Sequence, residues 1–177
     1  MHKKNPSEFS KQRGFTLIEL IIVIVILGIL AVTAAPRFVD LSSDAKISAL
    51  KGMGSAINAA SQLVYSKAVI QGLEKLETAN VDLDGDNTTD IETRYGYPSG
   101  SRSNGVSNAM SSSFASEWTW STNNSDSLFY VTTAAIGGRS GVYVNWSHIS
   151  PTNCYLIYKR AATLGAAPTI EYVTSGC

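Results

Sequence analysis

Three groups of residues in this sequence have the types and spacing to do chemistry. Glu19 is a lone carboxylate inside the apolar run FTLIELIIVIVILGILAVTAAP at residues 15–36. An ionisable group within an apolar membrane helix costs about 2.5–3.5 kcal/mol, so it marks function unless it sits at headgroup level. Residues 82–90 read DLDGDNTTD, with Asp82, Asp84, Asp86 and Asp90 at positions 1, 3, 5 and 9 and Gly85 permitting a tight turn. Hard oxygen donors so spaced suit a structural Ca²⁺, with the Thr88 carbonyl as a further ligand. A solvated acidic turn is the competing reading. The spacing is not an EF-hand, because the twelfth position from Asp82 is Thr93 and Glu92 falls one place early. The third group is Cys154 and Cys177, the only cysteines. In an exported chain they read as one disulfide, against the alternative of two buried thiols.

Several function classes are excluded. Lys and Arg balance Asp and Glu, 14 against 14, which gives no electrostatic reason to expect nucleic acid as a partner. Beyond His2 the only histidine is His148, and no phosphate loop, nucleophile elbow or zinc spacing occurs. The chain reads as no enzyme and requires no cofactor.

The elements that position these residues follow from composition and period. Residues 1–14, MHKKNPSEFSKQRG, set Lys3, Lys4, Lys11 and Arg13 against Glu8 and read as a cytoplasmic flank. The apolar run of residues 15–36, about 22 residues, would rise roughly 33 Å as a helix, enough to cross a bilayer core. It exceeds the 7–15 residues typical of a signal-peptide core, although Ala31, Ala34 and Ala35 offer a small-residue cleavage site as the alternative. Gly28 leaves a gap in its surface, and Pro36 is expected to kink or open it.

Helical period continues over residues 37–78. Leu50, Met53, Ile57, Ala60, Val64 and Ala68 recur at spacings of three and four, which predicts an amphipathic helix ending between Gly72 and Asn80. The combined helix, about 60 residues, would be roughly 90 Å long. Residues 79–177 form a head. Four β-favouring runs, Leu128–Thr133, 142–147, 154–160 and 169–174, predict an antiparallel sheet of about four strands wrapped on the 50–68 face. The 97–126 stretch shows no period. The fold class is α+β.

The junction Gly14-Phe15-Thr16-Leu17-Ile18-Glu19, the basic leader before it and Pro36 at the end of the apolar run resemble the type IV (type IVa) prepilin signature. The resemblance covers about the first 40 residues. It implies a prepilin peptidase that cuts between Gly14 and Phe15 and N-methylates Phe15. It implies pairing of Glu19 with the Phe15 amine of a neighbouring copy, and a helical homopolymer leaving the inner membrane through an assembly platform, ATPase and secretin. It also implies a helix with a β-sheet head whose C-terminal loop is bounded by a Cys154 and Cys177 disulfide. The KLETA stretch at 75–79 with the acidic loop, and Tyr95-Gly96-Tyr97-Pro98, are similar to the mannose-sensitive haemagglutinin pilin subgroup of marine bacteria. That subgroup implies a major subunit serving surface attachment and biofilm formation. A pseudopilin of a type II secretion system is the rival. Surface glycans are a candidate ligand, for which Trp118, Trp120, Trp146 and the tyrosines offer stacking faces; core or inter-subunit packing is the competing use of those rings.

Overall fold

The computed structural model describes residues 14–123, 125–142 and 145–177, the side chains of residues 33–40 excepted. The leader expected at 1–14 therefore lies, apart from Gly14, outside the described residues. Helix α1 spans Leu17–Ile70 and continues through Pro36, whose side chain is among those excepted. The chain divides into two units, Met1–Leu41 and Ser42–Cys177.

In the second unit α1 buries the stripe its period predicts: Leu50, Met53, Ile57, Val64 and Ala68 are covered. At one turn Ser61 is fully buried and Ala60 only half-buried. The helix stops at Ile70, earlier than expected, because Gly72 adopts a left-handed φ of 71°. The Leu73 amide then donates to Ala68 O at 2.8 Å and the Gly72 amide to Val69 O at 3.1 Å, which satisfies two terminal carbonyls.

Among the described residues eight strands follow, in two sheets rather than one. Strands β1 (Ala79–Val81), β2 (Ile91–Arg94) and β3 (Tyr97–Pro98) form a small antiparallel sheet. The larger sheet contains β4 (Trp118–Thr122), β5 (Leu128–Thr133), β6 (Gly141–Val142), β7 (Tyr155–Lys159) and β8 (Thr169–Val173) in the order β6-β4-β5-β7-β8. Four of these pair antiparallel, and β6 adds parallel to β4. Strands β5, β7 and β8 fall where expected. Of the expected 142–147 strand, Val142 belongs to β6, residues 143 and 144 lie outside the described residues, and Asn145 accepts from the Ser147 amide at 3.0 Å, capping a 3₁₀ turn at Trp146–His148.

Strand β4 comes from the stretch that shows no period. Its core face carries Trp118 and Trp120; its other face carries Thr119, which donates its hydroxyl to Arg139 O beneath helix α2 (Ala134–Gly137). A Cβ on Gly137 would stand 2.9 Å from Thr119 Cβ, so this cover depends on the missing side chain.

The main core joins Met53 and Ile57 of α1 to Val106, Phe114, Trp120, Phe129, Val131, Leu156 and Tyr158. Full burial of a side chain such as Phe129 contributes about 1.5–3 kcal/mol. A second cluster packs Val64 and Ala68 on Val81 and Ile91. Burial pushes the Tyr158 phenol well above its usual range, so it stays neutral and donates to Pro98 O at 2.8 Å, linking the two sheets. On α1, Gly54 lies beneath the Tyr172 ring of β8, whose phenol end occupies the space of a Cβ.

Gly105 is held more tightly still. An added Cβ would lie 2.5 Å from both Ser99 O and Ser101 O, all backbone. Gly105→Ala is expected to lower stability by about 1–3 kcal/mol through overpacking, read as a lower urea midpoint at constant slope.

Candidate functional site

The N-terminal site is built by the way α1 begins. Thr16 is the residue before the helix, and Glu19 is its third residue. The Thr16 amide donates to Glu19 Oε2 at 2.7 Å, the Thr16 hydroxyl donates to the same oxygen at 2.8 Å, and the Glu19 amide lies 3.3 Å from Thr16 Oγ1. This is a reciprocal capping box, which satisfies amides that a helix start otherwise leaves open. The Thr-x-x-Glu spacing at 16–19 is the sequence signature of this box, independent of the charge that Glu19 places in the apolar run.

The box ends the helix before Phe15, so the Gly14–Phe15 bond lies outside regular structure. Both residues are exposed, Phe15 at 89%. From there to Val32 every described side chain is exposed, with Leu17 at 77% and even Ile21 at 45%. So much aliphatic surface needs a cover that a single copy does not supply. Among the described residues no helix is long and apolar enough to cross a membrane; the side chains described on this run stop at Val32, short of the 15–36 span read from the sequence.

The acidic turn brings three of the expected residues together. Carboxylate oxygens of Asp82, Asp84 and Asp86 lie within 4.8 Å of one another. Asp90 is used differently: its Oδ2 accepts from the Leu83 amide at 2.7 Å. Thr88 donates its amide to Asp86 Oδ1 at 2.7 Å. Asp82 accepts from the Gly85 amide at 2.6 Å and the Asn87 amide at 2.9 Å, and Asp84 from the Asp86 amide at 3.2 Å. The Gln71 side chain holds the Asp82 backbone, donating to its carbonyl at 2.6 Å. Backbone amides thus offset the mutual repulsion expected of these carboxylates. The remaining oxygens are donors of the kind Ca²⁺ prefers. The measurement that decides is the melt of the purified protein with and without Ca²⁺. A higher Tm, reversed by chelation, gives the turn a metal; an unchanged melt removes it.

The Gly85 amide, more than any other contact, holds the Asp82 carboxyl below the ordinary carboxylate range. A depressed folded value contributes stability that is present above the unfolded value and lost as pH falls through the folded one. Asp82→Asn is therefore expected to shallow the loss of Tm on acidification below about pH 4, with little change in slope at pH 7.

The tryptophans separate by position. Trp118 and Trp120 pack against the core, Trp120 with its ring 4.9 Å from that of Phe114. Trp146 is 40% exposed and stacks on Tyr130 at 5.4 Å. Two of the three rings therefore serve packing rather than an open surface.

The prokaryotic N-terminal methylation motif matches residues 9–35. The chain is 46% identical over 61 residues to the type IV narrow pilus major component PilA5 of Thermus thermophilus, covering 34% of this chain and 49% of that protein. It is 37% identical over 68 residues to a fimbrial protein of Pseudomonas aeruginosa, covering 38% and 42%. It is also 48% identical over 50 residues to type II secretion system core protein G of Pseudomonas aeruginosa, covering 28% and 35%. The chain spans about half or less of the length of these curated relatives. No solved structure matches it. The sequence thus carries the methylation motif and is homologous, over part of its length, to type IV pilins.

Proposed function

We propose that the chain is the precursor of a major structural subunit of a type IV pilus. A prepilin peptidase in the inner membrane cuts between Gly14 and Phe15 and methylates the new terminal amine. The shortened chain then polymerises through an assembly platform, ATPase and secretin into an extracellular fibre. The observation that carries this reading is a capped aliphatic helix, exposed on every described side chain from Leu17 to Val32, that starts just after the Gly14–Phe15 bond.

Cleavage would convert the Phe15 peptide nitrogen into an amine, and a cation in an apolar bundle needs an anion. Glu19 of an adjoining copy supplies one. Such a pair fixes the axial stagger, because one register alone neutralises both charges. The same carboxylate meanwhile keeps Thr16 capped, so Glu19 serves both its own helix and a neighbour.

We place the fibre with the mannose-sensitive haemagglutinin type, serving attachment and biofilm formation, on the strength of the KLETA stretch with the acidic turn and the Tyr95-to-Pro98 segment. The likeness to core protein G favours a pseudopilin as the second reading. The Cys154 and Cys177 disulfide and the Ser- and Asn-rich stretch at 97–126 favour an exposed pilus. Mass spectrometry of fibres sheared from cells tests the proposal. The expected subunit begins at methylated Phe15. A soluble product lacking residues through Ala35 would overturn it, and fibres confined to the periplasm would favour the second reading.

A further inference from the structure

Within the unit Ser42–Cys177, the first turns of the helix have little core to hold them. Residues 42–49 are exposed or half-buried, and Leu50 is the first of this stretch to be fully covered. Yet Lys46 reaches 131 residues along the chain, where its Nζ donates to Cys177 O at 2.8 Å. Cys177 is itself fixed from two directions. It is bonded to Cys154, which is wholly buried. Its amide also donates to Thr174 O at 3.1 Å. The preceding Gly176 donates to Asn153 O at 2.8 Å and lies so close to Thr152 O that it has no room for a side chain.

We propose that Lys46, Cys177 and Cys154 form a clasp that sets how far opening of helix α1 can run toward the head before the core at Leu50 resists it. The path is continuous: ammonium to the backbone oxygen of Cys177, backbone to sulfur, disulfide to the start of β7. An opening that begins N-terminal to Ser42 would meet this clasp one turn ahead of Leu50. The disulfide then holds the helix as well as the sheet. The proposal does not depend on fibre formation, since each contact lies within one copy.

Hydrogen exchange read by mass spectrometry on the full chain in detergent micelles tests it, comparing peptides over 42–50 and 53–68. A hydrogen bond from a charged donor corresponds to about tenfold to a hundredfold in local opening. Lys46→Met is expected to speed exchange over 42–50 by at least about tenfold, with 53–68 unchanged, and Lys46→Arg to restore most of the protection. Removing both sulfurs with Cys154→Ala and Cys177→Ala is expected to raise exchange over 42–50 as well, with an added rise over 53–68 from the lost cross-link. Unchanged exchange over 42–50 in Lys46→Met overturns the clasp, as does an equal rise over 53–68, which would make the contact part of global stability. Should the double cysteine variant unfold throughout, the Lys46→Met and Lys46→Arg pair still decides.

Discussion

Cells whose only copy carries Glu19→Gln are expected to process the precursor normally and to show no surface fibres. Glutamine at the third helical position preserves the capping pattern with Thr16, so the helix start stays formed. What it removes is the negative charge. Each new subunit would then bring a methylated amine into an apolar bundle without a counter-charge, and breaking one side of a buried ion pair costs about 3–5 kcal/mol. That is roughly a hundredfold or more per addition step, repeated at every subunit. Electron microscopy and an immunoblot of sheared material read the result. Normal fibres built from processed Glu19→Gln subunits would refute the pairing. Thr16→Val separates the two roles from the other side: it disturbs the cap at a cost of about 0.5–2 kcal/mol and leaves the charge, so fibres should persist in reduced number.

The second large effect is on the head. Replacing both cysteines with alanine is expected to lower its stability by about 3–4 kcal/mol, because the bridge closes a loop of separation 23 that the unfolded chain would otherwise leave open. Alanine is chosen over serine because position 154 is wholly buried and a hydroxyl there would add its own penalty. Urea unfolding followed by tyrosine and tryptophan fluorescence reads the change as a lower midpoint. A midpoint equal to that of the native chain would mean that packing of β7 against β5 and β8 holds the C-terminal segment without the sulfurs.

What the sequence made legible follows from where its signals are local. The 50–68 stripe and strands β5, β7 and β8 were visible because their apolar residues repeat with the period of the element that buries them. Strand β4 was hidden because it is paired on both sides: Thr119 and Ser121 are wholly buried, Thr119 beneath a covering turn, so hydroxyls stand where a solvent-facing or aliphatic side chain would have announced a strand. The helix end is hard to read from sequence because a single left-handed glycine at position 72 outweighs the apolar residues around it. At the N-terminus the apolar run makes the charge of Glu19 conspicuous, while its bond to Thr16 is signalled only by the three-residue spacing of a capping pattern. In the acidic turn, spacing identified the three carboxylates that converge; that Asp90 would cap Leu83 instead depends on the path of the chain between them.

The bare position at Gly54 has a consequence for how the last strand finds its frame. Because side chains alternate between the two sides of a strand, slipping β8 by one residue against β7 would swing the Tyr172 ring away from the helix and send Glu171 or Val173 toward it instead. Neither replaces a flat ring lying over bare backbone. The glycine and tyrosine therefore act as a gauge: a C-terminal strand one residue out of frame forfeits this contact with the helix.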